Sequence, residues 1–113
     1  MKDTTKFLRD MFAAIEAIES YTVSSYEAFL KDEKTQDAIM YNLIILGEAA
    51  NQIPDSFQEK HSEIPWSSII GTRNVIVHGY DQVKLPIVWD IIQKNLQPLK
   101  YSLEKLGKDH GLD

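Results

Sequence analysis

Apolar residues recur at intervals of three and four along almost the whole chain, and no segment alternates with the period of two that a strand needs. That periodicity restricts the chain to helix packed on helix. The expected fold is all-α, an up-and-down helical bundle of four to five helices, built by residues 1–113 as a single domain. A length of 113 residues suits one core.

The first helix is expected over about Thr4 to Tyr21, with Leu8, Met11, Ile15 and Ile18 on one face. Thr22-Val23-Ser24-Ser25 interrupts it. Ser24, with Glu27 three residues on, reads as a capping box that opens a short helix from Ser25 to Leu30. A long helix follows from Lys34 to Ile53 and stops before Pro54. It carries two apolar stripes, Ile39-Leu43-Leu46-Ala50-Ile53 and Ala38-Tyr41-Ile45-Ala49. Gly47, Ala49 and Ala50 would let a neighbouring backbone approach closely. Two stripes fit a central helix buried on most sides, and equally one whose second stripe faces another protomer.

Asp55 to His61 reads as a short polar helix or turn. Pro65 is expected at the first position of the next helix, which runs to about His78 and ends in a left-handed cap at Gly79. Leu85-Pro86 opens the last helix, striped by Val88, Ile92, Leu96, Leu99, Leu103 and Leu106. Pro98 lies within that stripe and should kink or break it. The charged tail beyond Gly107 should fray.

Twelve basic residues against seventeen acidic ones give a net charge of −5. A broad basic coat for nucleic acid is excluded, so any contact with RNA or DNA must be local. Arg9 and Arg73 are the only arginines. The absence of cysteine excludes disulfides, thiolate metal sites and cysteine nucleophiles, and fits a cytoplasmic setting. Met1 to Lys6 has no apolar signal segment, and no apolar run approaches the ~20 residues of a membrane span. Three scattered histidines make no metal site. His61 and His110 sit in polar stretches and receive no role.

Residues Trp66 to Tyr80 concentrate the chemistry. At about 100° per residue, Trp66, Ile69, Ile70, Arg73 and Val77 share one helical face. Arg73 thus sits within an apolar stripe, where a charge must be paired and hydrogen-bonded. It could be a structural cation paired with a carboxylate such as Glu48, or a clamp for an anion whose shape its planar fork fits. His78 lies five residues on, about 140° around a regular helix, so the two side chains diverge within one chain. Asn74 and His78, four apart, lie together, and Asn74 could orient the ring. Read alone, a histidine at a helix C-terminus is a favourable dipole partner or cap.

Arg73-x4-His78-x-Tyr80 resembles the Arg-x4-His-x-Tyr motif of HepT-like toxins in the HEPN superfamily (higher eukaryotes and prokaryotes nucleotide-binding). The resemblance covers nearly the whole chain. Asp32-Glu33-Lys34-Thr35-Gln36-Asp37-Ala38, Leu46-Gly47-Glu48-Ala49-Ala50, Ile64-Pro65-Trp66 and Ile87-Val88-Trp89-Asp90-Ile91 support it. It implies a homodimer acting as a metal-independent endoribonuclease, with no cofactor, whose partner is a minimal nucleotidyltransferase antitoxin that adenylylates Tyr80. Two copies of the motif would meet across a two-fold axis.

Under that reading Arg73 holds the scissile phosphate of an RNA, possible transfer RNA included, and stabilises its growing charge. His78 is general base or acid, since imidazole ordinarily titrates at ~6.5. Asn74 orients His78 or contacts the phosphate. Tyr80 is a regulatory acceptor and a substrate contact rather than a proton donor, because a free phenol ionises only near ~10. The competing readings are a non-catalytic nucleotide- or RNA-binding module using the same cleft, and a structural helical partner in which Arg73 is a core pair and His78 a cap. Glu48, Trp66 and Trp89 read as packing or supporting residues.

Overall fold

Asp32 opens the helix around which the others assemble. In the computed structural model, which describes residues 4–21 and 23–109, its carboxylate accepts the Thr35 backbone N–H at 3.0 Å and the Thr35 hydroxyl at 2.6 Å. These bonds satisfy a helix-end donor and hold the Asp32 carboxyl below its usual range. The helix they start, α3, spans Glu33–Gln52, about 30 Å at ~1.5 Å per residue. At its far end the carbonyls of Ala50 and Ile53 accept from Gln58 Nε2 at 3.2 and 3.0 Å. Gln58 belongs to α4, Asp55–Lys60, so a short polar helix closes the long one.

Two helices flank α3: α1 (Thr4–Ser20) and α5 (Trp66–His78). Their directions follow from the bonds at their ends. Tyr21, just past α1, takes a hydrogen bond from Asn42 in the first half of α3 at 3.2 Å. Tyr80, just past α5, donates to Asp37 near the start of α3. Both neighbours therefore run antiparallel to α3. The C-terminal rod comprises α6 (Leu85–Asp90), a π turn (Ile91–Asn95) and α7 (Leu96–Asp109). Glu19, at the end of α1, accepts from Lys100 Nζ at 2.8 Å and from Gln97, near the start of α7. The bundle is thus up-and-down throughout.

The core is built from the expected stripes. Leu8, Met11, Ile15 and Ile18 of α1 meet Ile39, Leu43 and Leu46 of α3, while Leu96, Leu99, Leu103 and Leu106 close it from α7. Phe29, on the short α2 (Tyr26–Leu30), is fully buried and lies 5.3 Å, centroid to centroid, from Trp89. Rings at that separation gain contact beyond simple burial. No strand occurs among the described residues.

Several expectations need correcting. Four long rods and the short α2 and α4 exceed the expected four to five helices, because the stretch after Pro54 forms a true helical turn. Ser25, not Ser24, caps α2, accepting from the Ala28 backbone N–H at 3.1 Å. Pro65 precedes α5 as its cap, and the helix begins at Trp66. Gly79 is not left-handed: its φ is −151°, because the chain continues into a 3-10 turn over Tyr80–Gln82. Pro98 does not break the last rod. The missing N–H falls in the first turn of α7, and the distortion takes the form of the π turn just before it.

The second stripe of α3 is largely consumed inside the chain, where Ala49 is buried and Ala38 and Ile45 are half-buried; Tyr41 is 63% exposed. α7 continues past Gly107 to Asp109, and the expected fraying of the tail otherwise falls outside the described residues, as do His110 and Thr22. No helix described is long and apolar enough to cross a membrane.

Candidate functional site

Trp66 pins the start of α5. It is 6% exposed, and its indole N–H donates to the His61 carbonyl at 3.0 Å. Ile69 and Ile76 are buried on the same helix. Val77 is not part of the buried face, against expectation. It is 47% exposed and Val75 62%, so the buried arc is centred nearer Ile76.

α5 packs tightly against α3 at Gly47. A Cβ built there would lie 2.2 Å from Arg73 Cβ and 2.9 Å from Arg73 Cγ, closer than atoms can approach. Glycine is therefore what lets the aliphatic stem of Arg73 lie flat on α3. Past the stem, the guanidinium reaches a 440 Å³ cleft lined by Phe7 and Asp10 of α1 and by Ile45, Glu48 and Gln52 of α3. Asp10 is paired with Lys6 at 2.8 Å.

Two contacts and one unpartnered nitrogen describe the Arg73 guanidinium. Nη1 donates to Asn74 Oδ1 at 2.8 Å. Nη2 lies 3.4 Å from Glu48 Oε1, a long bond to a side chain 52% exposed. Nε is buried and has no acceptor, a condition that costs about 1–3 kcal/mol for a buried polar group. Glu48 is thus a rim carboxylate rather than the core carboxylate that a structural arginine needs.

The structure joins Asn74 to Arg73 and not to His78. His78 ends α5, is exposed, and its side chain makes no hydrogen bond to the described residues. No contact joins it to Arg73, as the helical angle required. Tyr80 opens the 3-10 turn beyond Gly79, and its hydroxyl donates to Asp37. Burial of the hydroxyl end, then the Asp37 bond and the negative charges of Asp37 and Glu33, push the phenol up to about 12. The residue as a whole is 46% exposed, so this burial concerns the hydroxyl against α3 and not the ring.

Asp37 is the site residue that sequence reasoning passed over. It lay within the Asp32–Ala38 stretch, but no local spacing links it to a tyrosine forty-three residues on. Among the described residues no group of three or more His, Cys, Asp or Glu side chains could hold a metal ion.

A helical bundle with a cationic fork in a tight helix seam and a histidine and tyrosine at the end of that helix defines a class of small helical proteins. Comparison places the chain within it: the chain belongs to the HepT-like ribonuclease family, whose model, "Ribonuclease HepT-like", matches residues 11–106. A Thermococcus cleftensis protein named "Probable ribonuclease HepT" is 39% identical over 90% of this chain and 94% of its own. "Putative RNase TTE0752" of Caldanaerobacter subterraneus subsp. tengcongensis is 34% identical over 94% and 96%. "Putative RNase MJ0127" of Methanocaldococcus jannaschii is 31% identical over 96% and 90%. No solved structure matches the chain.

Proposed function

We propose that the protein is a metal-independent endoribonuclease toxin, active as a homodimer in the cytoplasm and silenced by a minimal nucleotidyltransferase antitoxin. The observation that carries the reading is the state of Arg73. Its guanidinium is delivered into a cleft by the Gly47 seam, with Glu48 only loosely engaged. A phosphate oxygen entering the cleft would fit the fork and displace the long Glu48 contact at Nη2.

In this reading the ribose 2′-oxygen attacks the phosphorus that Arg73 holds. The bond to the 5′-oxygen breaks, leaving a 2′,3′-cyclic phosphate and a free 5′-hydroxyl. His78 takes the 2′-hydroxyl proton or gives one to the leaving oxygen, work that commonly contributes ~10²–10⁴ in rate. Asn74 fixes the Arg73 fork. Because His78 and Arg73 diverge on one helix, the reading requires a second copy. The exposed Val75, which shares a groove with Ile87 at 57% exposure, supports an apolar dimer face there. Two-fold symmetry over α5 would then set one motif beside the other. Tyr80 is the position at which the antitoxin adds AMP.

The test is RNA cleavage by purified protein in excess chelator, with sedimentation to fix the oligomeric state. Arg73→Ala and His78→Ala should abolish cleavage while remaining folded and dimeric. Cleavage that persists in both variants removes the mechanism. RNA binding without any cleavage product marks a binding module instead.

A further inference from the structure

The bond between Tyr80 and Asp37 bears on how Tyr80 reacts. To act as a nucleophile a phenol must shed its proton, and the surroundings that push Tyr80 up to about 12 make free phenolate scarce at neutrality. Attack then requires the proton to leave as the new bond forms, towards a base already in contact. One oxygen of Asp37 is in that position. The titratable groups around it are Tyr80, with His78 and Asp81 close in sequence, and Glu33, Lys34 and Tyr41 one helical turn away on α3.

We propose that Asp37 is the proton acceptor for Tyr80 when the Tyr80 hydroxyl attacks a nucleoside triphosphate, so that the toxin supplies a catalytic group for its own modification. This rests on the reading of Tyr80 as the acceptor of AMP. Tyr80 Oη bonds to the α-phosphorus of ATP. The bond from that phosphorus to the bridging oxygen breaks, and pyrophosphate leaves with the electron pair. The hydroxyl proton passes to the Asp37 carboxylate and from there to water. The modified oxygen then has no hydrogen to donate, and its new phosphodiester charge faces Asp37 and Glu33. The 3-10 turn is thereby released from α3.

The experiment follows intact mass with time after mixing the chain with ATP, magnesium and the cognate nucleotidyltransferase. Wild type should gain AMP. Asp37→Asn keeps an oxygen that can accept the Tyr80 hydrogen bond but lacks a basic carboxylate, so its labelling should slow at least ~10-fold at pH 7. Raising the pH should shrink that deficit, and Asp37→Glu should recover part of the rate. Melting curves confirm that the variants fold. Labelling of Asp37→Asn at the wild-type rate overturns the proposal, as does an equal deficit in Asn and Glu variants at every pH. Wild type left unmodified, or Tyr80→Phe modified equally, overturns the reading of Tyr80 itself and the role of Asp37 with it.

Discussion

Gly47 and Arg73 share space that only one of them can fill: the Cβ absent from Gly47 would sit 2.2 Å from the Cβ of Arg73. The arginine is placed by the distance between two helix backbones. Gly47→Ala must therefore part α3 from α5 or bend the Arg73 stem. Overpacking of this kind costs about 3 kcal/mol, a fall of roughly 10 °C in Tm. Gly71 is the internal control. Nothing lies within 4 Å of a Cβ there, so Gly71→Ala should gain up to about 1 kcal/mol from helix propensity. Thermal melts of both variants check the pair, and equal effects would remove the steric account.

Glu48 separates a structural arginine from a functional one. Removing one partner of a buried ion pair costs about 3–5 kcal/mol. The Arg73–Glu48 contact is long and its carboxylate half exposed, so Glu48→Ala should cost under about 1 kcal/mol. Arg73→Lys keeps the charge and loses the fork, and cleavage should fall by about 10²-fold. Chemical denaturation and an RNA cleavage assay on the two variants decide between the readings.

Tyr80 makes stability fall at high pH. Its folded pKa, about 12, lies above the ordinary phenol value of 10. A group raised in this way contributes stability that is full below the unfolded value and lost as pH rises through the folded one. The Tm difference between wild type and Tyr80→Phe should be constant to about pH 10 and shrink between pH 10 and 12. A difference unchanged across that window would show that the Asp37 bond does not survive in solution.

Asp32 acts at the other end of the scale. Its carboxyl is held low by the Thr35 hydroxyl and then by the Thr35 backbone N–H. The stability it contributes is present above the unfolded carboxyl pKa and lost as pH falls through the folded one. Asp32→Asn can still cap α3, so it should melt close to wild type in acid and below it at neutral pH. Melting curves from pH 2 to 7 check the sign.

The long helices were legible in the sequence because burial follows the helical period. The stripes of α1 and α7 are buried as read, and the small residues of α3 marked the seam that Gly47 forms. Arg73 within an apolar face was legible for the same reason. Which side of α5 faces its neighbour was not. Periodicity defines a stripe but not the helix that covers it, so Val77 shares a face with Trp66 and Ile69 and yet lies exposed. The conformation of Gly79 was misread because a cap depends on where the chain goes next, here into a 3-10 turn. The Tyr80–Asp37 bond was illegible because it arises from the antiparallel docking of two helices and from no local spacing.

The π turn at Ile91–Asn95 has a consequence for the C-terminal rod. Such a turn is an α-helix holding one surplus residue, and each residue in a helix advances the side chains by about 100°. The wide turn absorbs that residue, so Val88 and Leu96, eight apart, both face the core. Regularising the rod with the residue retained would rotate Leu96, Leu99, Leu103 and Leu106 together by about 100°, away from the core and towards water. The wide turn therefore sets the phase of the bundle's closing helix. At its present length the rod can lose its irregularity only by losing its grip on α1.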